Sequence, residues 1–318
     1  MTAVAHPGYV NQGRGPWRRP VGREDRIVGF VTAHVRPHRG ALAVSYGTAV
    51  VENTFELLYP FAIGLAVNGL LDSSWGGLTV FVVLSLTHTC LGVARQWYDT
   101  RLFNRLYTLF ATDLVKDQRA EGVATTSVVA RTVLADEYVD FLRSGVNTAI
   151  TAAFAIFGSL IMLFFYDPLL GLVAAVVAIP VAVINRRLMR RSAGIFRALN
   201  DQSEREVSLI DEGSVRDVRR HFGVIAGHWN RLSDAEGISW GVVDVIALGL
   251  AVFALVRATS TAADVGTIFA TVAYVWFYIG GFDQVPAVLQ RMSNLADIRR
   301  RLDGLEDAEA QEAASGDR

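Results

Sequence analysis

The chain has 318 residues, 52% of them hydrophobic and 19% charged, with a net charge of -1. A mean hydropathy of +0.32 is too apolar for a soluble enzyme of this length, and the near-neutral balance speaks against a protein held to nucleic acid by bulk positive charge. In chain order, Met1–Gly22 is rich in Gly, Pro and Arg and lacks the apolar core of a cleaved signal peptide, so it reads as a disordered basic arm over residues 1–22. Arg23–Val35 spaces Ile27, Phe30, Val31 and Val35 at helical intervals among charges, the pattern of a short helix lying in a membrane interface. Pro37 should then turn the chain into the first of six apolar stretches. These run Ala41–Ile63, Leu78–Val93, Val146–Phe165, Leu169–Ile184, Val242–Val256 and Val265–Leu289. Each is near the roughly 20 residues that cross a hydrocarbon core of about 30 Å.

Charge is segregated along this pattern. Of the 30 Lys and Arg residues, all but Arg257 fall in the N-terminal arm, the two long connections or the C-terminal segment, and ten arginines lie between Arg186 and Arg231. The connections around Asn68–Gly77, Asp167-Pro168 and Ala258–Asp264 carry no Lys or Arg beyond that one. By the positive-inside rule this predicts an even number of crossings, with both termini cytoplasmic, in a cell inner or plasma membrane. Cys90, alone and within a span, excludes an intrachain disulfide.

The long connections have structure of their own. From Arg95 to Asp117 the chain keeps Leu102, Leu106, Leu109 and Phe110 on one stripe without Pro or Gly, breaks at Gly122, and resumes over Ser127–Leu142. The fourth span continues through Arg186–Ile210, turns near Asp211–Gly213, and returns through Val218–Ser239. Each connection is expected to be a helical hairpin projecting about 25–40 Å from the bilayer. The residues after Leu302 are acidic and poor in large apolar side chains, so 303–318 is expected to be a solvated, disordered tail.

Inside the spans, Glu52 and Glu56 lie one turn apart near the middle of the first apolar stretch, accompanied by Asn53. Carboxylates at such depth cost about 2.5–3.5 kcal/mol on insertion scales and face a bundle interior or an aqueous cavity. The pair admits three roles: attracting a cationic substrate, exchanging protons, or pairing with an interior polar group. Asp244 and Asp283 fall on the same-side halves of the fifth and sixth spans, and Asn68, Asn147 and Gln284 add polar positions. Trp276, Phe277 and Tyr278 sit near mid-span, where they contact an apolar substrate or simply pack. The six histidines show no metal-ligand spacing, and no metal site is expected. Lys116, the one lysine, sits in LVKDQ and cannot belong to a phosphate-cradling P-loop; no catalytic motif of another kind is present.

Several segments resemble the transmembrane domain of ABC exporters. FRALNDQSEREVSLIDEGSVRDVRRHF (residues 196–222) is similar to the stretch carrying the second coupling helix of that family, and EGVATTSVVARTVLADEYVDFL (121–142) to the segment beyond the first. YPFAIGLAVNGLLD (59–72) resembles the end of a first span and DVGTIFATVAYVWFYIGGF (264–282) the start of a sixth. The resemblance covers about residues 24–302 and implies an all-α, six-span bundle over 23–302 with an interfacial elbow helix and two long cytoplasmic hairpins. It further implies a dimer with a second copy or a paralogous membrane subunit. A separate nucleotide-binding ATPase subunit would dock on hairpin tips containing Leu114, Lys116, Arg119 and Gly122, and Glu212, Gly213, Arg216, Arg219 and Arg220. The chain itself is then expected to be no enzyme and to bind no cofactor, with ATP and Mg held by the partner, since only the short acidic tail follows Arg299–Leu305, where a fused ATPase domain would begin. Two other readings share the fold: a proton-coupled carrier using Glu52 and Glu56, and a membrane scaffold that transports nothing.

Overall fold

The computed structural model describes residues 36–120, 125–212, 214–261 and 263–316. All regular structure among them is helical, as expected where lipid offers no hydrogen bond and the backbone must satisfy its own groups. A 3-10 turn at Arg36–His38 leads into α1 (Arg39–Leu71), followed by α2 (Gly76–Ala120) and α3 (Thr125–Asp140). A π turn at Phe141–Gly145 joins α3 to α4 (Val146–Ala153), and a second at Phe154–Gly158 joins α4 to α5 (Ser159–Tyr166), so that α3, α4 and α5 make one rod. Then come α6 (Pro168–Glu212), α7 (Val215–Ser260) and α8 (Val265–Gly316).

Six helical stretches are long and apolar enough to cross a membrane: 36–71, 76–116, 136–166, 168–199, 215–260 and 265–289. They fall on the six apolar stretches of the sequence, each longer than its apolar limits. The expected excursions are also present as helix: α2 continues past Val93 to Ala120, and α6 past Ile184 to Glu212, about 40 Å each. The basic arm and the interfacial helix (residues 1–35) lie outside the described residues.

The tail corrects one expectation. α8 does not stop at Leu302 but runs as helix to Gly316. A shortage of large apolar residues argues against burial, not against local helix, and this stretch is rich in Ala and Glu, which favour the helical backbone.

The short connections gather at one end of the bundle, and their chemistry is local. Asp167 is extended (φ -152°, ψ 114°), the conformation a following proline demands, and ends α5. Pro168 then occupies the first turn of α6, where its missing N–H costs nothing. The Asp167 carboxylate caps that turn, accepting from the N–H groups of Leu169 at 2.8 Å and Leu170 at 3.4 Å, and it also accepts from Arg257 Nε on α7 at 2.6 Å. Asp167 and Arg257 are thus a tether between the start of α6 and α7.

Burial pushes the Asp167 carboxyl up, but the Arg257 hydrogen bond, the two backbone N–H groups and the guanidinium charge outweigh it and hold it below the usual carboxylate range. A depressed carboxyl contributes stability above its unfolded value of about 3.9 and loses it as pH falls through the lower folded value. Asp167→Asn should therefore lower the unfolding midpoint at neutral pH by the equivalent of about 1 kcal/mol, Arg257 being partly exposed. The difference from wild type should shrink as pH falls through the lowered folded value; a difference independent of pH would contradict the tether.

The main core lies among α5, α6, α7 and α8, where Leu163, Leu170, Val181, Ala247, Tyr274 and Tyr278 are buried. The two tyrosines satisfy their hydroxyls on backbone carbonyls, Tyr274 on Leu57 at 2.8 Å and Tyr278 on Ala174 at 3.0 Å, which ties α8 to α1 and to α6. A second cluster at the hairpin end (Leu42, Leu102, Phe103, Leu106, Phe110, Val139) holds α1, α2 and α3 together. The stripe of Leu102, Leu106 and Phe110 seen in the sequence is the buried face of α2 there. α1 and α8 cross at Gly64 and Gly266 so closely that a Cβ on Gly266 would stand 2.0 Å from the Gly64 carbonyl oxygen. Asn68 Oδ1 seals the crossing by accepting from Gly266 N at 2.7 Å.

Candidate substrate pathway

The two glutamates of the first span part company. Glu52 turns toward α2 and forms an ion pair with Arg95. Its other oxygen lies 4.0 Å from His88 Nε2, while His88 Nδ1 meets the Tyr59 hydroxyl at 2.9 Å. Arg95 also reaches Asp99 at 3.4 Å, and Asp99 accepts from Ser45 at 2.6 Å. Tyr59, His88, Glu52, Arg95, Asp99 and Ser45 thus make a polar seam between α1 and α2 in place of apolar packing. Of the three roles open to it, Glu52 takes pairing with an interior polar group.

Depth explains why a charge pair is tolerated there. Counting about 20 residues, or about 30 Å, from the 72–75 turn back along α1 arrives near Glu52, and the same count along α2 from Gly76 arrives near Arg95. The pair sits at the hairpin-ward edge of the apolar slab. The mid-span position read from Ala41–Ile63 shifts because α1 runs on to Leu71.

Glu56, one turn deeper, faces an open cavity of about 310 Å³ bordered by α1, by the second π turn with its flanking residues, and by α8. Asn53, Thr151, Phe154, Trp276, Phe277 and Gln284 supply most of its chemistry. Asn53 is buried and spends one amide N–H on the Ala49 carbonyl at 2.8 Å. Trp276 stays 49% exposed, so its ring remains available to a guest. Glu56 has no ion-pair or hydrogen-bond partner among the described residues.

The π turn shapes this wall. It seats Ala155 and Ile156 against α8 where Gly281 has no side chain; a Cβ there would come within 3.0 Å of the Ile156 backbone nitrogen. The first π turn is likewise held, by Arg291 on Ser144 and by the Tyr46 hydroxyl on the Leu142 carbonyl at 3.0 Å. The rod contains no proline, but each turn ends on a glycine beside a serine, Ser144-Gly145 and Gly158-Ser159.

The remaining expected residues separate. Asp244 on α7 and Asp283 on α8 are close enough for their charges to interact, but they do not line the cavity. Tyr278 is a buried structural residue, unlike its neighbours Trp276 and Phe277. Asn68 serves the glycine crossing, and Asn147 is half-buried on α4.

At the hairpin tips, Lys116 and Arg119 are exposed and Leu114 half-buried, while Gly122 and Gly213 lie outside the described residues. Glu212 is the last residue of α6. Across the gap, Ser214 caps α7 by accepting from Asp217 N at 3.3 Å, which presents Arg216, Arg219 and Arg220 outward on the first turns.

A six-span helical bundle with two long helical pairs at one end and a polar-lined cavity within is the architecture of a multi-pass integral membrane protein built around a pathway. The family described as ABC transporter transmembrane region matches residues 33–267, well over half of the chain, and the protein belongs to that family. It is the membrane region of a transporter. Among curated proteins none is significantly similar to it.

Proposed function

We propose that this chain forms half of the substrate pathway of an ABC exporter, working as a dimer and powered by a separate ATPase subunit that docks on the hairpin tips. One observation carries the reading: in a chain of this family, a cavity with a carboxylate on its wall lies in the bundle, and both long helical pairs project from a single end. Among the described residues, that end carries all the arginine and lysine residues but Arg257, which supports its assignment to the cytoplasm. Twofold pairing with a second copy is the default closure for such a half. ATP and Mg would be held by the ATPase, whose cycle would move α2–α3 and α6–α7 as levers.

The outward arginines on the α7 cap are the natural handle for that partner. Combined Arg216→Glu, Arg219→Glu and Arg220→Glu should eliminate stoichiometric co-purification of an ATPase and ATP-driven flux in proteoliposomes. The unfolding midpoint should not change, since the three side chains are exposed. Retention of both association and flux would sink the docking reading.

A second reading keeps one specific observation in its favour, the unpaired Glu56. In a proton-coupled carrier Glu56 alone would handle the proton, because Glu52 is committed to Arg95. Glu56→Gln would then remove flux driven by a pH gradient. ATP-dependent flux surviving in that variant decides against the proton reading.

A further inference from the structure

We infer that the cavity between α1, the second π turn and α8 is a binding site for a monovalent organic cation bearing an aromatic ring, with Glu56 as its counter-charge. This deepens, and rests on, the reading of the bundle as a substrate pathway. Three features converge on that class. The first is charge: the cavity wall holds one carboxylate and no Lys, Arg or His. Arg95 is the cation nearest along the seam, and Glu52 and Asp99 already occupy it. A half-buried carboxylate without a cation among its described neighbours leaves its charge uncompensated by the protein, and a positively charged guest supplies what is missing. An anion would meet only repulsion.

The second feature is the wall itself. Phe154, Trp276 and Phe277 line the cavity together with Glu56, and aromatic faces attract ammonium groups, tryptophan most strongly. They also stack against a ring carried by the guest. Asn53 and Gln284 add neutral polar groups that can orient it without altering the charge preference. The third is size: about 310 Å³ lies at the lower bound of ligand pockets and is enough for a small aromatic ammonium. Glu52 plays no part, although sequence alone makes it the twin of Glu56.

Equilibrium dialysis of labelled benzyltrimethylammonium against the full chain in nanodiscs of zwitterionic lipid tests the assignment without any ATPase. Benzylsulfonate and benzyl alcohol serve as the anionic and neutral ring-matched comparators. The expected result is saturable ammonium binding at least about tenfold tighter than either comparator. Glu56→Gln should weaken it by about tenfold, Glu56→Asp should largely restore it, and Glu52→Gln should leave it within about twofold. Trp276→Ala should weaken it by several fold and Trp276→Phe less. Glu56→Gln exchanges one oxygen for an amide, and an unchanged unfolding midpoint verifies that it folds.

Equal binding of all three probes, no saturable ammonium binding, or binding indifferent to Glu56→Gln would each overturn the cation site. None of these results touches ATPase association or flux through the arginine-tip variants. Failure of the ligand class therefore stays distinct from failure of the transport reading.

Discussion

Gly266→Val is expected to yield no correctly folded protein. Its Cβ would sit 2.0 Å from the Gly64 carbonyl oxygen and 2.8 Å from Asn68 Oδ1, and the first of these is backbone that no rotamer change can move. The reciprocal position is nearly as tight, with a Cβ on Gly64 at 2.7 Å from the Gly266 carbonyl oxygen. Overpacking a tolerant core costs about 1–3 kcal/mol. Here two helix axes must separate and the Gly266–Asn68 hydrogen bond be lost, so the loss should exceed about 4 kcal/mol. Fluorescence-detected size exclusion and thermal unfolding in detergent report it directly. Gly249→Val is the control, because nothing lies within 4 Å of a Cβ there. A Gly266→Val protein as monodisperse and as stable as the Gly249→Val protein would refute the close α1–α8 crossing.

Arg95→Leu should be nearly as damaging, and for an electrostatic reason. Removing the guanidinium strands the Glu52 carboxylate at the edge of the apolar slab, with side chains only 17% and 20% exposed in the native pair. Breaking a fully buried pair costs about 3–5 kcal/mol, and partial exposure brings the expectation here to about 2–3 kcal/mol. The companion Glu52→Leu/Arg95→Leu chain should regain part of that loss, since Glu52 is then no longer an uncompensated charge, while Asp99, which Arg95 also reaches at 3.4 Å, still loses its partner. A double-mutant cycle on unfolding midpoints then isolates a coupling of about 2 kcal/mol. Strict additivity of the two single substitutions would mean that Glu52 and Arg95 do not act as a pair.

How much of this was readable beforehand depended on whether the information was local to one helix. Spans, excursions and the turn near Asp211–Gly213 follow from period, breakers and apolar length, which one segment carries by itself. Partners across helices do not. Arg95 is a natural member of an arginine-rich connection until α1 is placed beside α2, and Asp167 with Arg257 is two unrelated turn residues until α6 and α7 are adjacent. Glu52 and Glu56 share a face by spacing, yet the azimuth that sends one to a guanidinium and the other to the cavity is a property of the bundle. The tail misled because composition measures the drive to be buried, whereas a solvated helix needs only local preference.

The two π turns have a further consequence for how this rod accepts change in length. A π turn packs one more residue into its turn than the α form does, so losing a residue within 141–145 or 154–158 can be absorbed by relaxing to α-helix. The same loss in Val146–Ala153 rotates everything after it by about 100° and carries the cavity wall away from Glu56. Relatives one residue shorter in this region are therefore expected to place their gap at the π turns, and a residue-by-residue alignment that ignores this mismatches the cavity positions on the far side of the gap.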